Sequence, residues 1–183
     1  TALNLIGALD APDRGTVKLE GIDIGGLSRT ERSVMRRDRI GFVFQAYNLI
    51  PVLTAAENAE LVLMLQGTPE EERKARVMTV LEAVGIGDLA NRRPDELSGG
   101  QQQRGAIARA IATRPALVLA DEPTANLDSK TADGLIELFR VLNERHSTTF
   151  VIATHDQRVM SYAKRLISML DVRIVDAIEQ NAT

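Results

Sequence analysis

An α/β fold built on a parallel sheet is what this chain of 183 residues predicts, and three runs of sequence carry the expectation. Leu117-Val118-Leu119-Ala120 is continuously apolar and stops at two acids, Asp121 and Glu122. A strand buried on both faces reads this way, and both faces are covered mainly where helices flank a parallel sheet. Thr148 to Thr154 is a second such run, rich in β-branched residues, and it stops at His155. Ile40 to Phe44 is a third, followed by Gln45. Ligands of open α/β sheets sit beyond the carboxyl ends of the strands, which marks Asp121 and Glu122 as candidate site residues. Adjacent strand residues point opposite ways, so the two acids are expected to do different jobs.

Composition narrows the class. Hydrophobic residues make up 44% and charged residues 26%, the balance of a soluble globular domain. The net charge of −3 gives no basic footprint for nucleic acid. Cysteine is absent, which removes disulfides and thiolate metal sites and suits a cytosolic setting. No apolar run reaches the length of a membrane span and no signal peptide opens the chain, so any membrane role is expected to run through a partner.

The remaining elements follow in order. Thr1 to Leu9 reads as a helix with a broad apolar face. Asp10 to Gly15 is a turn by composition, and Thr16 to Glu20 alternates like an exposed strand ended by Gly21. Ser28 and Glu31 have capping-box spacing and open a basic helix through Arg37. Arg29, Arg32, Arg36, Arg37 and Arg39 suggest a phosphate surface, but Glu31 and Asp38 interleave, so a solvated face is the reading preferred. Tyr47 and Leu49 to Leu53 form an apolar segment without periodicity, either a buried loop or an exposed patch for a partner. Thr54 and Glu57 repeat the capping box and start a helix to about Gln66, which Gly67-Thr68-Pro69 ends. Glu70 to Val84 is an amphipathic helix stopped by Gly85. Ser98, Gly99 and Gly100 leave backbone N–H groups uncovered where a helix begins at Gln101, an anion-binding start. Ser129 is expected to cap a helix from Lys130 to Glu144 with Leu135, Leu138, Phe139 and Leu142 as its stripe. Arg165–Leu170 and Arg173–Ala177 pair as a closing hairpin, where Val172 makes a tight type I′ turn doubtful. His146 has no motif around it and reads as surface.

LSGGQQQR (residues 97–104) followed by LVLADEPTANLD (residues 117–128) resembles the ATP-binding subunit of ABC transporters, and the motifs fall in that family's order along the whole chain. IGFVFQ (residues 40–45) with Asn48-Leu49-Ile50-Pro51 is similar to the lipoprotein-release and macrolide-export subgroup. The resemblance implies a P-loop NTPase, RecA-like α/β core from residues 1–45 and 106–183. An inserted helical subdomain at 46–105 would carry the signature motif, the whole forming one ABC ATPase domain. It implies ATP hydrolysis, with ATP and Mg2+ as ligands. Glu122 would be the general base, Asp121 a magnesium holder, and Gln45 a contact to both magnesium and the attacking water. His155, in Thr154-His155-Asp156, would bond the γ-phosphate and hold Glu122. Ser98, Gly99, Gly100 and Gln101 of one copy, with Asp128, would meet the nucleotide of a second copy, in a homodimer or heterodimer. The apolar segment after Gln45 would receive a transmembrane permease, which places the chain on the cytoplasmic face of the membrane. No nucleic-acid partner is implied.

The chain departs from that pattern in three places. No G-x-x-x-x-G-K-[ST] phosphate loop occurs in it, and Thr1 matches the residue just after that motif's magnesium-binding hydroxyl. An N-terminally truncated or partial copy of a longer protein that binds ATP poorly or not at all is therefore expected, with a split gene or a degenerate subunit as the alternatives. Ala125 stands where the family usually has Gly, tolerable unless its φ is positive, and Asp171-Val172 stands for Asp-Gly. Two further readings remain in view: a soluble ABC ATPase without membrane domains, and a non-catalytic partner that lends its signature motif.

Overall fold

The computed structural model describes residues 2–146 and 148–180; Thr1 and the side chains of Arg145 and His146 lie outside what is described. Strands β3 (Ile40–Val43), β4 (Leu117–Asp121) and β5 (Thr149–Ala153) form a parallel sheet in the order β3-β4-β5. Two small antiparallel hairpins accompany it: β1 (Lys18–Leu19) with β2 (Ile22–Asp23), and β6 (Arg165–Leu170) with β7 (Arg173–Glu179). The helices are α1 (Ala2–Ile6), α2 (Arg29–Arg39), α3 (Ala55–Leu65), α4 (Glu70–Ala83), α5 (Gly99–Ile111), α6 (Ser129–His146) and α7 (Gln157–Tyr162).

Alternation along β4 explains why its run is apolar throughout. Val118 and Ala120 enter a core shared with α3, α4, α5 and α6, whereas Leu117 and Leu119 enter a second core with Ala8, Ile24, Met35 and Ile40. Both faces are covered, as the sequence pattern required. In the larger core Leu63, Leu81, Ile107 and Leu135 are at most 1% exposed. Each such side chain stabilises the fold by about 1.5–3 kcal/mol relative to exposure. The stripe predicted on α6, Leu135, Leu138, Phe139 and Leu142, is buried there too. β3 lies so close to α5 that a Cβ on Gly41 would stand 2.4 Å from the carbonyl oxygen of Ala110, so this position needs glycine for contact rather than for φ.

Two helices start at the capping boxes the sequence predicts, and a third carries the same kind of cap. Ser28 and Thr54 cap α2 and α3 with reciprocal bonds from Glu31 and Glu57, as does Ser98 with Gln101 on α5. Three arginines of α2 are engaged within the chain: Arg36 bonds the Ala8 carbonyl and the Ser33 hydroxyl, Arg37 pairs with Asp38, and Arg39 pairs with Glu20.

Several sequence expectations are corrected. α1 spans only Ala2–Ile6, because the chain turns at Ala8 with φ 55°. The strand expected at 16–20 is two residues long and turns through Glu20 and Gly21 (φ 50° and 82°) into β2. α5 begins at Gly99 rather than Gln101, since Ser98 is its cap. α6 begins at Ser129, and the residue that accepts from its first turn is Asp128, whose Oδ1 takes the Thr131 N–H at 3.0 Å. β5 is half-buried, not buried, because β4 is its only neighbour among the described residues. The final hairpin does turn tightly: Asp171 and Val172 both have positive φ, 46° and 64°, as a type I′ turn requires. Strand pairing on both sides overrides valine's aversion to that region. Ala125 is not among the positive-φ residues, so alanine is tolerated there.

Candidate active site at the carboxyl edge of the sheet

Register brings the candidate residues to one edge. Val43 lies beside Ala120, and Asp121 beside Ala153. Gln45, Asp121, Glu122, Thr154 and His155 are therefore the residues that emerge together where the three parallel strands end. Asp121 is the last residue of β4; Glu122 has already left it, with φ 44°. The two acids thus diverge through a backbone corner, not through the strand alternation expected from sequence. The corner is held from both sides. The Glu122 N–H donates to the Ala153 carbonyl at 2.9 Å, and the buried Gln103 of α5 donates from Nε2 to the Pro123 carbonyl at 2.8 Å.

Glu122 is fixed by both carboxylate oxygens. His155 Nδ1 lies 2.7 Å from Oε1, and Thr154 Oγ1 donates to Oε2 at 3.1 Å. An ionised carboxylate has only acceptors, so Nδ1 carries the proton and Nε2 faces outward. The hydrogen bond to Glu122 raises the His155 pKa above 6.5, with the charge of Glu122 adding to it. Thr154 takes the N–H of Asp156 on its oxygen, and Asp156 accepts from Thr124 Oγ1 at 3.1 Å and pairs with Arg158. The Arg158 hydrogen bonds hold the Asp156 carboxyl down to about 2. Glu122 is half-buried while His155 is exposed, so the pair has one anchored and one accessible member.

Asp121 is exposed, and no side-chain hydrogen bond or ion pair occupies it among the described residues. Gln45 is exposed at the end of β3, and its carbonyl accepts from Asn126 Nδ2 at 3.0 Å, which ties it to the segment just after Glu122.

The signature residues form a separate group. Ser98 Oγ accepts from Gln101 N and the Gln101 side chain accepts from Ser98 N at 2.8 Å. The N–H groups of Gly99 and Gly100 have no acceptor among the described residues, at the start of a 13-residue helix. A Cβ on Gly100 would stand 2.4 Å from Thr131 Cγ2, and Thr131 Oγ1 donates to Asp128 at 2.6 Å. Ser98 to Gln101 and Asp128 are thus neighbours, and among the described residues no hydrogen bond or ion pair joins them to Glu122 and His155. Thr1 lies outside the described residues.

Thr154, Asn126 and Gln103 are site residues that sequence reasoning missed. Thr154 stood beside His155 and carried a hydroxyl at a strand end, which was a usable signal. The partners of Asn126 and Gln103 lie 81 and 20 residues away, and no local pattern points to them.

Comparison with known proteins identifies the family of the fold. A family model described as ABC transporter matches residues 1–125. The chain is 41% identical over 175 residues to the lipoprotein-releasing system ATP-binding protein LolD of Bacteroides fragilis, covering 96% of this chain and 81% of that protein. It is 44% identical over 175 residues to the macrolide export ATP-binding/permease protein MacB of Brucella melitensis, covering 96% of this chain and 27% of that protein. Its structure is similar to a dimeric, post-hydrolysis state of the ATP-binding cassette MJ0796 bound to ADP and Pi, with TM-score 0.87, 43% identity, and coverage of 97% of this chain and 78% of that one. The chain belongs to the ABC transporter family, as one of its ATP-binding subunits.

Proposed function

We propose that the subunit hydrolyses ATP at the edge where Glu122 and His155 meet, and that this drives export or lipoprotein release through a membrane permease. The observation that carries the reading is the 2.7 Å bond between Glu122 and His155, with Thr154 fixing the second carboxylate oxygen. Hydrolysis requires a placed water and neutralised phosphate charge, with little covalent work for the protein. Each oxygen of Glu122 keeps a lone pair free after its one bond. The carboxylate accepts a proton from a water aligned with the γ-phosphorus. The water oxygen bonds to phosphorus as the bond to the β,γ-bridging oxygen breaks, and ADP and phosphate leave. His155, oriented by Glu122, presents Nε2 to the γ-phosphate.

Asp121 and Gln45 would hold magnesium, which when bound neutralises charge on the β- and γ-phosphates. The free N–H groups of Gly99 and Gly100, at the positive end of α5, suit the γ-phosphate of a second copy, with Ser98 and Gln101 beside them. Asp128, next to this group, would face the partner across the same dimer. The dimeric cassette with ADP and Pi supports that arrangement by similarity. Residues 46–105 act as a helical subdomain on a RecA-like core of 1–45 and 106–183. No helix among the described residues is long and apolar enough to cross a membrane. The permease would dock on the segment after Gln45, where Val52 is 72% exposed and Asn58 holds the backbone through Ile50, Leu53 and Thr54. The subunit is then peripheral on the cytoplasmic face.

The test is ATP turnover by the full-length subunit and its Glu122→Gln variant. Turnover that needs Glu122 is expected. A variant as active as the parent would remove the assignment.

A further inference from the structure

Tyr47 and Asn48, two and three residues past Gln45, both adopt left-handed backbone, with φ 61° and 51°. Neither is glycine, and such residues cost about 1–2 kcal/mol each unless their surroundings over-determine them. The surroundings come from α5. The Arg109 guanidinium donates from Nη2 to the Tyr47 carbonyl at 3.0 Å and from Nη1 to the Asn48 carbonyl. One planar fork therefore fastens two consecutive carbonyls, a geometry that lysine cannot copy in full. At the other end of the same helix, the Tyr47 hydroxyl lies 2.9 Å from where a Cβ on Gly99 would stand. The loop is hydrogen-bonded at one end of α5 and lies close against the other.

Arg109 is unusual in its surroundings. It is half-buried and forms no ion pair with a carboxylate among the described residues, so its two carbonyls are its visible compensation. Burial also holds its pKa below the usual value. An apolar residue here would pack against the neighbouring cavity without that desolvation penalty. The cavity has a volume of about 470 Å³ and includes Phe42, Phe44, Val62 and Leu65 in its lining.

We propose that Arg109 is a positioning residue for ATP hydrolysis: by clamping the Tyr47–Asn48 carbonyls to α5 it sets where Gln45 stands and makes the Gln45 loop move as one body with the Ser98–Gln101 helix start. The inference rests on the ATPase reading above. A displacement of Gln45 by about 1 Å is enough to cost catalysis up to 100-fold without changing nucleotide affinity.

The experiment uses the full-length subunit with Arg109→Met, Arg109→Lys, Gln45→Ala and the double variants. Arg109→Met is expected to lower kcat about tenfold or more with KM for ATP changed less than about twofold, and Arg109→Lys to recover part of the loss. In the Gln45→Ala background the same change should cost nothing further, because its effect runs through Gln45. Amide exchange should quicken about tenfold at Tyr47 to Leu53 while Ile107 and Ala108 stay protected. Unchanged kcat despite faster loop exchange, or a loss that multiplies with that of Gln45→Ala, overturns the proposal. If Arg109→Met does not fold, Arg109→Lys carries the same comparison, with a kcat deficit in the parent and none in Gln45→Ala. A parent subunit with no turnover refutes the ATPase reading instead, and the exchange measurement still decides whether the clamp exists.

Discussion

Glu122 and His155, 33 residues apart in sequence, meet at 2.7 Å between Oε1 and Nδ1. One lies on a corner whose φ is 44°, the other at the end of the neighbouring strand β5. The parallel register of β4 and β5 makes the meeting possible, since Asp121 already faces Ala153.

Glu122→Gln keeps the shape of the side chain and removes the proton acceptor. Turnover of ATP by the full-length subunit should fall by about 10²–10⁴, with nucleotide affinity retained. Steady-state phosphate release alongside a direct binding titration makes the distinction.

The imidazole of His155 should titrate above 6.5, since the bond to Glu122 favours its charged form. A raised folded-state pKa means the stabilisation is fully present below the unfolded value and disappears as pH rises through the folded one. The ring resonances, followed by NMR from pH 5 to 9, should show this midpoint moving down toward the ordinary value in Glu122→Gln.

Ser98→Arg should remove hydrolysis more than it weakens ATP binding, because Ser98 is grouped with Asp128 and, among the described residues, has no bond to the Glu122 site in its own chain. Loss of the cap also costs about 1 kcal/mol of stability. Ser98→Ala shares that cost but not the bulk, so comparing the melting temperatures and turnover of both variants separates the two effects.

Gly41→Ala drives a methyl against the Ala110 carbonyl, 2.4 Å from the ideal Cβ position. The main chain of β3 or α5 must move, at about 1–3 kcal/mol. Urea denaturation should show a lower midpoint with an unchanged slope.

Val172→Gly should act the other way. Its φ of 64° is strained for a β-branched residue, and its side chain is 87% exposed, so little packing is lost. Relief of strain, offset by the greater freedom of glycine in the unfolded chain, leaves a gain of about 1 kcal/mol. A calorimetric melt that moves down instead would show that the strand pairing does not impose the strain.

What the sequence by itself determined is local chemistry and its spacing. The caps at Ser28 and Thr54 each engage a residue three positions on, so they are legible within one helical turn. β4 was legible because burial on both faces leaves no polar position until its acids. The tertiary structure alone decided the Glu122 corner, the ties from Thr154, Gln103 and Asn126, the fork of Arg109 on the Gln45 loop, and the strained turn at Val172. The reason is range. Propensity and capping energies act over three or four residues, whereas these contacts join groups up to 81 positions apart. Such groups meet only after parallel strands fall into register and α5 packs down on β3, and no local term in the chain records that event.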